Sequence, residues 1–192
     1  MKRILPIVLM FGIVLLLLYA CTSEKQSNET VITFGTHYVI YEITDNNETA
    51  YRYEIINKNG DIVKSETIWT YPNIISMFDD AVLSISRGAG TGTFSTQYYD
   101  ISRDVFSDIF LSPMAEEYGC VVYLDVINDT IKLVVRDIFD KSMLYKEFEI
   151  DFSPTANPID ALKHIEFIDK NTLTIKYLSG TEYIEKTAIV RY

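Results

Sequence analysis

Arg87-Gly88-Ala89-Gly90-Thr91-Gly92-Thr93 is the most unusual local sequence in this chain of 192 residues. Three glycines at alternate positions can bring backbone N–H groups close to a phosphate. The dinucleotide motif needs a strand before such a run and a helix after it, so that phosphate meets the helix N-terminus. A strand-like segment precedes the run, but the segment that follows, Thr93-Phe94-Ser95-Thr96-Gln97-Tyr98-Tyr99, is also strand-like. No lysine stands where a Walker loop requires one. Nucleotide chemistry is therefore not expected. Two readings remain: a hairpin loop with close backbone approach, which glycine permits, and a small-ligand loop. The ligand loop would be built from Arg87, Gly88, Gly90, Thr91 and Gly92, with Tyr98 and Tyr99 behind it.

Other reactive side chains are few or scattered. The only histidines, His37 and His164, sit in strand-like runs at a spacing that matches no local metal motif. No G-x-S-x-G elbow supports a hydrolase triad. Asp45-Asn46-Asn47-Glu48 and Asn57-Lys58-Asn59-Gly60-Asp61 lack the full calcium-loop ligand set and read as turns. Asp137 and Asp140 are the closest approach to paired carboxylates, and a turn explains them as well. Cys120, within Gly119-Cys120-Val121-Val122-Tyr123, reads as a small buried apolar residue. No catalytic residue, metal ligand or cofactor is expected.

The elements that carry these residues are strands. Tyr51 to Ile55, Ala81 to Ser86, Ile131 to Val135 and Leu173 to Tyr177 are rich in β-branched and aromatic residues and alternate in polarity. Turn residues separate them at 57–61, 128–129, 169–171 and 179–180. Helical patterns reduce to two short candidates, Asn73 to Asp79 and Asn157 to Leu162. Hairpin units start near His37, Asp80, Tyr118 and Ala161, a period of roughly 40 residues, and each junction carries a proline: Pro72, Pro113, then Pro154 and Pro158. Expected strands lie at 37–43, 50–56 and 62–69; 81–86, 94–101 and 105–111; 119–126, 131–137 and 144–151; 163–168, 172–178 and 182–191. The fold expected is all-β, with antiparallel three-strand meanders repeated about four times in a small propeller-like stack. A β-sandwich or an irregular barrel is the alternative.

The N-terminus decides location. Lys2 and Arg3 precede an apolar run, Ile4 to Leu18, in the pattern of a secretory signal. The run is shorter than the roughly 20 residues a spanning helix needs. Leu18-Tyr19-Ala20-Cys21 resembles the lipobox of bacterial lipoproteins, with Tyr19 where a smaller residue is usual. That resemblance implies a signal over 1–20, cleavage after Ala20 and a diacylglycerol thioether on Cys21. Two acyl chains suffice for stable anchoring. Residues 21–30 read as the lipidated cysteine and a polar tether, and 31–192 as one all-β domain. Cys120 is then left without a partner. The formal charge of −10 disfavours nucleic acid, whose phosphates need clustered Lys and Arg. It also disfavours charge-driven adhesion to an anionic membrane.

Gly88 to Thr93 with Tyr98-Tyr99-Asp100, Asp137 to Lys141, and Phe152 to Ala161 leading to Tyr177-Leu178-Ser179-Gly180 resemble small lipoproteins of Gram-positive, Firmicute-type bacteria. The resemblance covers most of the chain after about residue 80 and implies a location without a mechanism. The expectation is a membrane-anchored extracytoplasmic module, non-enzymatic, binding an envelope protein or glycan. A small-ligand binder using the loop 87–93 is the alternative, and an envelope hydrolase is disfavoured.

Overall fold

The computed structural model describes residues 28–45, 48–77, 81–90, 93–127, 130–155 and 158–192. Fifteen strands among them form four antiparallel sheets, each taken up in chain order. The first sheet is β1(Asn28–Gly35), β2(Tyr38–Asp45), β3(Glu48–Ile56) and β4(Ile62–Ile68). The second is β5(Asn73–Met77), β6(Val82–Gly90), β7(Thr93–Asp100) and β8(Val105–Leu111). The third is β9(Ala115–Glu117), β10(Cys120–Ile127), β11(Thr130–Asp137) and β12(Tyr145–Glu149). The fourth holds β13(Leu162–Asp169), β14(Thr172–Ser179) and β15(Ile184–Arg191).

Neighbouring sheets share apolar cores. Ile40, Tyr53 and Ile55 of the first sheet meet Leu83, Ile85 and Tyr99 of the second. Val82, Tyr98 and Phe110 of the second meet Val121 of the third and Ile138 beyond β11. Val122, Leu133 and Val135 of the third meet Leu173, Ile175 and Val190 of the fourth. Each contact is sheet on open sheet, as in a β-sandwich. Among the described residues no core cluster joins the fourth sheet to the first.

Polarity patterns follow this stacking. The end sheets bury one face, so β14 alternates, with Leu173, Ile175 and Tyr177 inward and Lys176 exposed. The middle sheets bury both faces. Val82 and Tyr98 point one way while their neighbours Leu83 and Tyr99 point the other. Val121 and Val122 divide in the same way between two cores. The runs around 81–86 and 131–135, which alternation suggests are half-buried, are therefore buried on both sides.

The expected strands are present close to their expected ends. Three further strands, β1, β5 and β9, precede the first three meanders. Asn73 to Asp79, a helix candidate from sequence, contributes a strand over Asn73–Met77 that pairs with β6 from Asn73↔Ser86 to Met77↔Val82. The second helix candidate is a 3-10 turn, Pro158–Ala161. The first strand begins at Asn28, inside the expected tether, because Glu29 and Thr30 pair with Ile43 and Glu42 of β2. The Glu29 carboxylate also accepts a bond from Arg52 Nε at 2.7 Å. Residues 1–27, with the signal and Cys21, lie outside the described residues.

One repeat element is common to all four sheets. Pairing ends at Asp45↔Glu48, Gly90↔Thr93, Ile127↔Thr130 and Asp169↔Thr172, with two residues intervening each time. Two-residue connections match the twist of antiparallel strands. This aligns β13 with β2, β6 and β10, so the fourth sheet lacks a counterpart of β1, β5 and β9.

Candidate functional site

The glycine-rich run is mostly strand. Gly88 pairs with Phe94 and Gly90 with Thr93, with a register shift between the two glycines. Thr91 and Gly92 lie outside the described residues. The Arg87 guanidinium forms an ion pair with Glu66, which also accepts a 2.7 Å bond from the Tyr53 hydroxyl. Lys64 donates to Gln97 Oε1 at 2.6 Å beside them, and Gln97 donates to the Ser107 carbonyl. Burial, and then the Arg87 charge, hold the Lys64 ammonium below its ordinary pKa. Arg87 thus belongs to a polar seam between the first two sheets.

Tyr98 and Tyr99 are fully buried on opposite faces of β7. The Tyr98 hydroxyl donates to Glu116 and that of Tyr99 to Asp104. Burial, then the carboxylate partner, pushes both phenols far up. Arg87, Tyr98 and Tyr99 therefore do not converge on one surface, and the ligand loop expected from 87–93 is corrected on that point. An odd and an even position of one strand cannot line the same side of it.

The remaining sequence candidates lie apart from one another. His37 Nδ1 lies 3.1 Å from the Ile56 carbonyl in the first sheet, whereas His164 is exposed on β13 in the fourth. Cys120 is buried, and burial followed by the Asp137 charge raises its thiol. Asp137 Oδ1 accepts from the N–H groups of Phe139 and Asp140, and Asp140 Oδ1 from that of Ser142. Asn57 Oδ1 accepts from the N–H groups of Asn59 and Asp61. These are side-chain-closed turns. Asn46 and Asn47 lie outside the described residues. Among the described residues no group of three or more His, Cys, Asp or Glu could hold a metal ion.

A groove not legible in the sequence lies where the second, third and fourth sheets meet. It consists of two adjoining cavities, about 180 and 320 Å³, that share Ser112 and Ile159. Leu111, Leu124, Val126 and Ile131 line the first, with Thr93 and Asp125. Phe94, Pro113, Met114, Leu162 and Ile165 line the second, with Lys163 and His164. Its rim is apolar and open: Phe94 is 41% exposed, Leu111 64% and Val126 65%. The larger volume falls at the low end of small-molecule sites, about 300–1,000 Å³.

Backbone strain also falls here. Ser112 has φ 45° while being buried. A non-glycine residue in this region costs of order 1–3 kcal/mol. The other such residues, Asp104, Tyr118 and Tyr183, occupy turns within a meander. Ser112 instead joins two sheets. It is held because its N–H donates to the Phe94 carbonyl at 2.8 Å, with its hydroxyl 3.4 Å from that same oxygen. The strained link thereby fixes Phe94, Leu111 and Pro113 around the groove. A residue before proline is biased toward extended conformations, so sequence reasoning places Ser112 elsewhere in φ/ψ space.

Fold and groove together define an all-β module of stacked antiparallel meanders with an open apolar cleft. Neither a protein-family model nor a curated protein matches the chain.

Proposed function

We propose that this chain is a lipid-anchored extracytoplasmic module that binds another component of the cell envelope, a protein or a glycan, without transforming it. The anchor rests on the signal-like run and the lipobox-like Leu18-Tyr19-Ala20-Cys21. Binding rests on the groove at Ser112, where large apolar side chains stand exposed at the rim of a cleft and a strained residue holds them. Exposed apolar surface around a concavity is a common mark of an interaction site.

Two experiments test the halves separately. Palmitate labelling of cells is expected to mark the wild-type chain and to disappear with Cys21→Ala; labelling that survives overturns the anchor. For binding, full-length chain in detergent is heated with cell-wall glycan fragments, sugars or short peptides. A native-state ligand at a hundredfold excess over its Kd adds about 2.7 kcal/mol of stability. One class is expected to raise the midpoint, and Phe94→Ser with Leu111→Ser to abolish the rise. A flat panel, together with cell-surface crosslinks unchanged in those variants, overturns the binding reading, and turnover of any probe overturns its non-enzymatic part.

A further inference from the structure

We infer that the free edge of β13 accepts an extended, apolar, carboxylate-bearing peptide segment of a partner protein, which pairs as the fourth strand the fourth sheet lacks. This rests on the envelope-binding reading and names the class of partner. The internal comparison is direct. The two-residue spacings align β13 with β2, β6 and β10. Each of those carries a preceding strand on one side, β1, β5 and β9 respectively. On β13 that side is unpaired among the described residues. The chain before β13 does not supply the strand, because the 3-10 turn Pro158–Ala161 leads straight into Leu162. Pro154 and Pro158 also remove two backbone donors there.

The larger cavity lies along this same stretch, with Leu162, Lys163, His164 and Ile165 on its wall. An incoming strand would present alternate side chains to Phe94, Met114 and Ile165 and the others to solvent. Among the described residues, Lys163 and His164 are the only ionisable side chains lining the cavity, and both are exposed. Lys163 carries the charge on this wall, since the net charge of −10 counts histidine as neutral. Lys163 Nζ reaches the Asp160 backbone carbonyl at 3.4 Å, and the Glu166 carboxylate, 3.4 Å from His164, is not part of the lining. A lone ammonium at the end of an apolar cleft selects a carboxylate locally.

Register shifts at Leu162/His164 and Phe167/Asp169 leave regular pairing only over the intervening residues. Bulges and an edge lysine discourage indiscriminate strand addition. The edge is thus restricted to a short occupant matched to Lys163 and His164.

The test uses full-length chain in detergent and three dye-labelled, end-blocked peptides of about eight residues, long enough to cover the edge. The first alternates valine with glutamate and threonine. The second is the same peptide N-methylated along one edge, and the third carries lysine for glutamate. The acidic peptide is expected to bind and to protect the amides of 164–167 from hydrogen exchange. N-methylation or lysine substitution is expected to weaken binding by about tenfold or more, equal to at least about 1.4 kcal/mol. A Lys163→Glu/His164→Glu variant is expected to reverse the preference between acidic and lysine peptides. Equal binding of the N-methylated peptide, protection at another edge, or no peptide binding overturns the proposal. Self-association lost in the double variant, without peptide binding, assigns the edge to a second copy and also overturns it. If glycan fragments bind instead, and Phe94→Ser abolishes that, the strand proposal fails while the envelope-binding reading stands. If neither class binds and crosslinks in cells ignore the groove variants, both fail.

Discussion

At the scale of single residues, this protein places its charged and phenolic groups in pairs that bridge elements. Tyr98 is fully buried and donates to Glu116 across the boundary between the second and third sheets. Burial raises the Glu116 carboxyl, and the Tyr98 bond partly offsets that. A carboxyl raised in the folded state contributes stability that is complete below the ordinary glutamate range and is lost as pH rises through its own pKa. Tyr98→Phe removes the donor and is expected to cost about 1–3 kcal/mol at neutral pH, since a buried acceptor is left short of a partner. The cost should shrink below the ordinary glutamate range, where Glu116 holds a proton; denaturant titrations at about pH 3 and pH 7.5 read this directly. Asp100 has the opposite sign. Burial would raise it, but bonds from the Ser102 hydroxyl and from the Arg103 N–H and guanidinium outweigh burial and lower it. Its stabilisation is complete above the ordinary aspartate range and is lost as pH falls through the depressed value. Asp100→Asn is expected to lower stability by about 1–2 kcal/mol at neutral pH and to flatten the acid limb of a midpoint-versus-pH curve.

At the scale of elements, the turns set register and the links set geometry. Tyr118 and Gly119 both have positive φ, 53° and 76°, between the paired Glu117 and Cys120. A two-residue hairpin of this kind requires it. A Cβ at Gly119 would meet nothing within 4 Å, so the effect of Gly119→Ala is conformational alone. It is expected to cost about 1–2 kcal/mol, measured by urea unfolding with an unchanged m-value. The strands expected from alternation are those with β-branched and aromatic residues on a repeating face, and they were legible for that reason. Two of the strands that were not legible are short. Ala115–Glu117 has three residues, two of them glutamate, and is held only because β10 offers a partner. Asn73–Met77 carries apolar residues too closely spaced to separate a strand from a helical turn without its partner β6. The edge at β13 belongs to this scale too, since its vacancy becomes visible only when four hairpins are laid in register.

At the scale of the whole molecule, stability runs along the stack. The middle sheets are buried on both faces and the end sheets on one, so each middle sheet supports two cores. Amide exchange is expected to be slowest in β7 and β10 and faster in β1 and β15. Equal protection across all four sheets would contradict this serial arrangement. Leu133 is fully buried in the core joining the third and fourth sheets. Leu133→Ala is expected to cost about 2–5 kcal/mol and, in native-state exchange, to raise opening in the fourth sheet more than in the first. The aromatic column Tyr98, Phe110 and Tyr123, with centroids 5.7 and 5.6 Å apart in sequence, ties the second sheet to the third. Arg136 caps it, 5.0 Å from the Phe110 centroid and 2.9 Å from Asp108.

By itself the amino-acid sequence determined the all-β class, the four-fold recurrence of hairpins and the proline links. These follow from local rules: side-chain alternation, turn chemistry and the missing N–H of proline. Only the tertiary structure decided which apolar residues remain exposed. Phe94, Leu111 and Val126 look like core residues in the sequence, and nothing local distinguishes them from Phe110 or Val121. They stand at a groove because three sheets diverge there around Ser112 and Ile159. Conversely Arg87 and Tyr98 look available in the sequence and are taken up by Glu66 and Glu116, 21 and 18 residues away. Contacts between residues distant in sequence decide such outcomes, and no window of neighbouring residues encodes them.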